Sequence, residues 1–161
     1  MASTTFSGPV TSTNGFIGDI TGNVTGNVTG NITGNIAGSG SITHATTSAI
    51  NATAVATAAQ VATGYITSTS AAATAITLPT GTLLGAALSA VRGTVFNLYV
   101  DNTAGASTVT MVVAVNGILS DAATTTAASF GQLTIAAGAT GIARFTLMFA
   151  SATAYTFTRT A

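Results

Sequence analysis

The chain has 161 residues, of which 47% are hydrophobic and only 4% charged, against about 25% charged in an average soluble domain. Its whole charge inventory is Arg92, Arg144, Arg159, Asp19, Asp101 and Asp121; zero net charge without a basic cluster predicts no nucleic-acid binding. The absence of cysteine excludes disulfides, thiolate chemistry and Cys-ligated zinc.

The opening MASTTFSG carries neither a basic nor an apolar block, so it does not read as a secretory signal. Further on, the longest apolar runs, such as Met111-Val112-Val113-Ala114-Val115, fall short of the about 18 residues a membrane helix needs. Aromatic girdles of a membrane barrel are missing as well: there is no Trp and only three Tyr. No membrane partner is expected.

Residues 1–43 are built of Gly, Thr, Asn and Ile or Val. Ile20, Val24, Val28, Ile32 and Ile36 recur every fourth position, as do Gly18, Gly22, Gly26, Gly30, Gly34 and Gly38. A helix with that much glycine loses about 1 kcal/mol at each one relative to Ala. In a strand, side chains alternate between faces, so the branched residues and glycines share one face and Thr and Asn the other. An extended ribbon leaves its backbone groups unpaired, and the chain offers no equally long internal partner. Identical copies do, with a bulky side chain of one over a glycine of the next. The segment therefore reads as an intertwined β-stalk, a homo-oligomer of three chains. A single-chain solenoid and a flexible linker are the competing readings; the linker needs no branched residue at fixed spacing. The sequons at Asn23, Asn27, Asn31 and Asn51 read as by-products of repetition.

Residues 44–63 are rich in Ala and Thr and read as a connector. Ser48 is placed to cap a short helix carrying Ile50, Val55 and Val61 and closed by Gly64.

Residues 64–161 read as a β-domain. Alternation marks strands in Thr94 to Val100, Ser107 to Val115, Ile142 to Phe149 and Tyr155 to Arg159. Within the third, Ala143, Phe145, Leu147 and Phe149 share one face, and Arg144 and Thr146 the other. Turns are expected at Asn102 to Gly105, Asn116-Gly117 and Ala136 to Gly141. Leu78-Pro79 ends an early strand, and Leu83 to Val91 holds a short helix. The fold class is all-β: a repetitive stalk followed by a β-sandwich of jelly-roll type.

Little catalytic material is present. His44 is the only histidine, no serine stands in a nucleophile-elbow pattern, and the three Asp are scattered without Glu. No catalytic residue, cofactor or metal ligand is expected; a ring of three His44 copies is the one metal arrangement the composition allows. Asp101 and Asp121 read as turn residues, Arg144 as exposed or paired across strands, and Asp19 and Arg92 as candidates for inter-subunit pairs.

Several stretches resemble structural proteins of tailed bacteriophages. FSGPVTSTNGF (Phe6 to Phe16) with the repeat resembles their N-terminal segments. AITLPTGTLLGAAL (Ala75 to Leu88), GTVFNLYVDNTAGASTVTM (Gly93 to Met111), LTIAAGATGIARFTLMF (Leu133 to Phe149) and AYTF (Ala154 to Phe157) resemble their C-terminal β-domains. The resemblance implies a virion-surface role as a capsid decoration (cement) protein or head fibre. A trimer bound to the major capsid protein or another virion protein is expected. The short repeat favours a capsid-bound protein over a tail fibre. The assembly residues are then Ile20, Val24, Val28, Ile32 and Ile36 with Gly22, Gly26, Gly30 and Gly34. The alternative is a tail-fibre or spike protein recognising a host surface glycan, with Tyr65, Tyr99 and Tyr155 as candidate stacking residues. An ice-binding surface is a third reading, for which the Thr spacing is sparse.

Overall fold

Among the described residues the chain forms ten strands and two short helices. The structure is a computed structural model that describes residues 44, 46–119 and 133–161. The repeat residues from Ile20 to Ile36, with Asp19 and Asp121, lie outside the described residues. The strands are β1 (Ser48–Ala49), β2 (Ala54–Val55), β3 (Tyr65–Thr67), β4 (Thr74–Thr77), β5 (Val95–Asp101) and β6 (Val109–Val112), then β7 (Gly117–Leu119), β8 (Thr134–Ile135), β9 (Ile142–Ser151) and β10 (Ala154–Arg159). Helix α1 (Ala58–Ala62) follows β2, and α2 (Gly81–Ala87) follows β4.

The strands form two mixed sheets, in the orders β1-β3-β5-β9-β10-β7 and β2-β4-β6-β8. From β1 to β6 the chain alternates strictly between them, and each return to the first sheet up to β5 passes through a helix. Successive strands of one sheet are thus entered from the same end and pair in parallel. Ser48 lies beside Ile66, Tyr65 beside Tyr99, and Thr74 beside Val109. The long offsets in these pairs are what a parallel crossover requires. β8, β9 and β10 then add antiparallel ladders.

This differs from a jelly roll, whose strands pair antiparallel; here five ladders are parallel and three antiparallel. The expected turns exist, but they carry the chain between sheets instead of closing hairpins. Asn102 sits at the first of these, buried, with Nδ2 donating to Ser107 O and Ala136 O at 2.8 and 2.9 Å. The Asn116-Gly117 pair also serves a purpose other than a hairpin. Gly117 opens β7, which runs parallel to β10, and a Cβ there would stand 2.7 Å from the Tyr155 ring.

The Ser48 helix is likewise replaced. Ser48 lies in β1, and the helix begins ten residues later. Thr57 is its cap: Thr57 Oγ1 accepts from Gln60 N at 3.1 Å, and Thr57 N donates to Gln60 Oε1 at 2.8 Å. That reciprocal pair satisfies two donors at once, which Ser48 has no Glu or Gln at the right spacing to do. Residues 48–62 thus supply an edge strand to each sheet and a helix.

Inward side chains of both sheets form one hydrophobic cluster. The first sheet contributes Ile66, Leu98, Val100, Phe145, Leu147, Phe149, Tyr155 and Phe157, the second Ile76, Val109, Met111 and Ile135. Phe145 and Phe157 are diagonal neighbours on adjacent strands, with ring centroids 4.9 Å apart and planes within 10°. Each fully buried large side chain contributes roughly 1.5–3 kcal/mol by leaving water.

Tyr155 is fully buried in this cluster, and its hydroxyl donates to Pro79 O at 3.1 Å. Burial pushes its phenol from the ordinary 10.0 up to about 12. The unfolded chain therefore loses this proton first as pH rises, and native stability falls between those two values. Urea-unfolding midpoints followed through that window should decline in the wild type. Tyr155→Phe, which keeps the ring, should show a shallower decline; an equal slope would show that this phenol is not the group responsible.

Candidate functional site

The residues that alternate with the core positions form the outer face of the first sheet, and ladder register arranges them in rows. Tyr65 lies beside Tyr99, and Tyr99 beside Arg144; Thr67, Asp101 and Ile142 make the next row. On the other side of the tyrosines come Asn97, Thr146 and Thr158, then Val95, Met148, Thr156 and Ile118. Val95, Met148 and Ile118 are exposed by 56%, 55% and 59%, so the last row presents apolar side chains to solvent from β5, β9 and β7, with Thr156 of β10 between the last two.

The tyrosine row builds a cleft. Tyr65 and Tyr99 have ring centroids 6.3 Å apart with planes within 19°. His44 packs on both, at 5.7 and 5.5 Å. Its Nδ1 stands 2.9 Å from Thr63 O; a carbonyl only accepts, so in the neutral ring the proton sits on Nδ1 and Nε2 is left as an acceptor. Gly64 makes this possible. Its φ is +75°, and a Cβ there would stand 2.5 Å from His44 Cε1. With Val95, Phe96 and Asn97 these groups line an open cleft of about 430 Å3.

Asp101 fixes the far edge of the tyrosine pair. Its Oδ2 accepts from the Tyr65 hydroxyl at 3.0 Å, and its Oδ1 accepts from Thr103 N at 2.9 Å and Thr103 Oγ1 at 2.6 Å. The Thr103 hydroxyl, followed by its backbone N–H and the Tyr65 hydroxyl, holds the Asp101 carboxyl below the usual carboxylate range against an opposing contribution from burial. Burial, then Asp101, raises the Tyr65 phenol. The turn role read for Asp101 is the one it has. The carboxylate is engaged as an acceptor by Tyr65 and Thr103, and its work here is to hold a ring. Chemically the cleft offers aromatic faces, one imidazole acceptor and neutral polar groups, which suit stacking against a ring more than proton transfer.

The three candidate tyrosines separate. Tyr65 and Tyr99 come together, whereas Tyr155 is buried on the opposite side of the sheet and cannot meet a ligand. Arg144 is on the outer face as expected, with Nε donating to Thr160 Oγ1 at 3.1 Å. Among the described residues no group of three or more His, Cys, Asp or Glu is placed to hold a metal ion, and no helix is long and apolar enough to cross a membrane. The apolar row is absent from the sequence expectations although a signal for it exists: Val95 and Met148 occupy positions where strict alternation calls for polar residues. Comparison of the chain with protein-family models, curated proteins and solved structures gives no match.

Gly64→Ala should displace His44 from the tyrosine pair and cost on the order of 1 kcal/mol or more through the left-handed backbone alone. Because His44 is the sole histidine, its ring protons are directly assignable by NMR. In the wild type they should be shifted by the tyrosine ring currents, and in the variant they should move to positions typical of a solvated imidazole. Unchanged shifts would place the histidine elsewhere.

Proposed function

We propose that this chain is a homotrimeric structural protein of a tailed-phage virion, a decoration or cement protein of the head. In this reading residues 1–43 assemble as a β-stalk and dock on capsid subunits. The β-rich body, its two sheets forming the layers of a sandwich, faces outward. The observation that carries the reading is the repeat itself, an alternating apolar and glycine face with no partner of its own length in the chain. The scarcity of charge supports it. Among the described residues only Arg92, Asp101, Arg144 and Arg159 are charged, so little repulsion keeps copies apart. Assembly would draw on backbone pairing between strands and on burial of Ile20, Val24, Val28, Ile32 and Ile36 at about 25 cal/mol per Å2, multiplied by repetition. Deletion of residues 20–37 should leave a folded monomer by sedimentation; a truncated protein that still sediments as a trimer removes the stalk. Density for intact particles would locate the protein on the head.

The tyrosine cleft favours a second reading, recognition of a host surface glycan. Parallel aromatic rings flanked by Asn97 and His44 suit the apolar face of a sugar ring. Glycan-array binding lost in Tyr99→Ala and Tyr65→Ala would establish it. An array without hits, or hits indifferent to both substitutions, would leave the structural role alone.

A further inference from the structure

The row formed by Val95, Met148, Thr156 and Ile118 has no account in either reading beyond Val95, which also lines the tyrosine cleft. Its apolar members lie at one register level on β5, β9 and β7, each more than half exposed; Val95 and Met148 are direct partners, and Thr156 of β10 stands between Met148 and Ile118. A monomer that leaves scattered apolar residues on its surface is ordinary, but three held at one level of a sheet, with only a threonine between two of them, form a patch of the kind that marks a contact site. The adjoining row of Asn97, Thr146 and Thr158 is neutral, and its centre is already ordered: Thr146 Oγ1 donates to Asn97 Oδ1 at 3.0 Å. Burying these two rows would desolvate no charge.

The occupant follows from where the chain enters and from the charge on this face. The first described residue, His44, is seated on Tyr65 and Tyr99, which belong to the same outer face. The chain therefore enters the body on this side, with 43 residues ahead of that point. If copies are gathered through that segment, this face is held at high effective concentration next to other copies. The face carries one Arg and one Asp, Arg144 and Asp101, in neighbouring rows. It thus offers no single-sign field that would repel an identical surface.

From these observations we infer that the Val95–Met148–Ile118 strip is the contact by which the β-rich bodies of neighbouring copies of this chain pack on one another. The inference rests on the homo-oligomeric reading above and adds to it the face that mates. The leader gathers the copies, and the strip fixes how their bodies are turned, because a row at one register level can be buried by a neighbour only in a narrow range of orientations. Substitutions in the strip then act on the packing of the bodies, and substitutions in the repeat act on their gathering.

The natural absence of cysteine makes the test direct. Met148→Cys is placed in the full-length chain, with Leu83→Cys on the exposed side of α2 as reference, Leu83 being 59% exposed. Reaction with a maleimide is followed across a dilution series while sedimentation reports the oligomeric state of the same samples. The expected result is a thiol in the Met148→Cys variant at least about tenfold slower than the thiol in the Leu83→Cys variant where the protein is oligomeric, the two rates converging on dilution to monomer. An oligomer in which both thiols react equally fast overturns the inference and leaves the stalk standing. Protection of position 148 that is independent of concentration in a monomer also overturns it, since the cover is then part of the same chain. A monomer with both thiols free at every concentration overturns the inference and the homo-oligomeric reading together.

Discussion

Burial of one hydrophobic layer shared by two sheets is the constraint on which the other features depend. The chain has only six charged residues and no disulfide to hold it. Contact between Leu98, Val100, Phe145 and Phe157 on one side and Ile76, Val109 and Met111 on the other therefore supplies the cohesion. Serving both sheets from a single chain sets the topology. A strand that hands over to the opposite sheet must come back past it, and it comes back running the same way. The parallel ladders β1-β3-β5 and β2-β4-β6 are the result, with α1 and α2 filling the returns. Antiparallel β9 and β10 then close the first sheet beside β5, where ten- and six-residue strands give the longest ladders.

The same alternation that buries one face exposes the other, and the outer face of the first sheet shows what the chain does with that freedom. A sheet facing only solvent would alternate apolar and polar residues cleanly. Here the outward positions carry Val95, Met148, Ile118 and Ile142 as well as Tyr65 and Tyr99. None of them belongs to the buried cluster formed by the described residues. Threonine at these positions would serve the β-geometry equally well, and the chain uses Thr freely at Thr67, Thr146, Thr156 and Thr158. The apolar choices are therefore features of the surface and not of the core.

How much of this is legible in the sequence follows from the lengths of the elements. β5, β9 and β10 are long enough for alternation to show, and period two alone assigns Phe145, Leu147 and Phe149 to the buried face. β1, β2 and β8 have two residues each, fewer than one full alternation, and no local pattern can reveal them. Turn chemistry marks the right places, yet a turn fixes only that the chain changes direction. Whether it returns to the same sheet or crosses to another is decided by the core, so Asn102 to Gly105 and Asn116-Gly117 mark turns without revealing that each crosses between the sheets. The cleft is half visible. Tyr65 and Tyr99 stand out as candidates, but their pairing needs a 34-residue offset between parallel strands, and Gly64 reads as a helix stop when it also makes room for His44. The repeat residues from Ile20 to Ile36 lie outside the described residues, so the part of the chain with the plainest pattern stands on sequence alone.

Replacing charge by hydroxyl changes the kind of surface this protein has, and that bears on what it can join. Thr110 and Thr134 face each other across β6 and β8 with hydroxyls 3.1 Å apart, and Thr146 lies 3.2 Å from Thr160 in the same manner. Such groups bond over the length of one contact and exert no field beyond it, whereas charges act across a Debye length of about 8 Å at physiological ionic strength. A surface of this kind cannot steer a partner from a distance. Its encounters must be brought about by something else, and in the proposed reading the repetitive segment would supply that by gathering copies. Were bodies brought adjacent in this way, side chains fixed by strand register could select orientation through fit alone. Under that proposal gathering and orienting would be separate tasks carried by different parts of the chain, so that a repeat of low complexity would suffice for the first while strand register in the body serves the second.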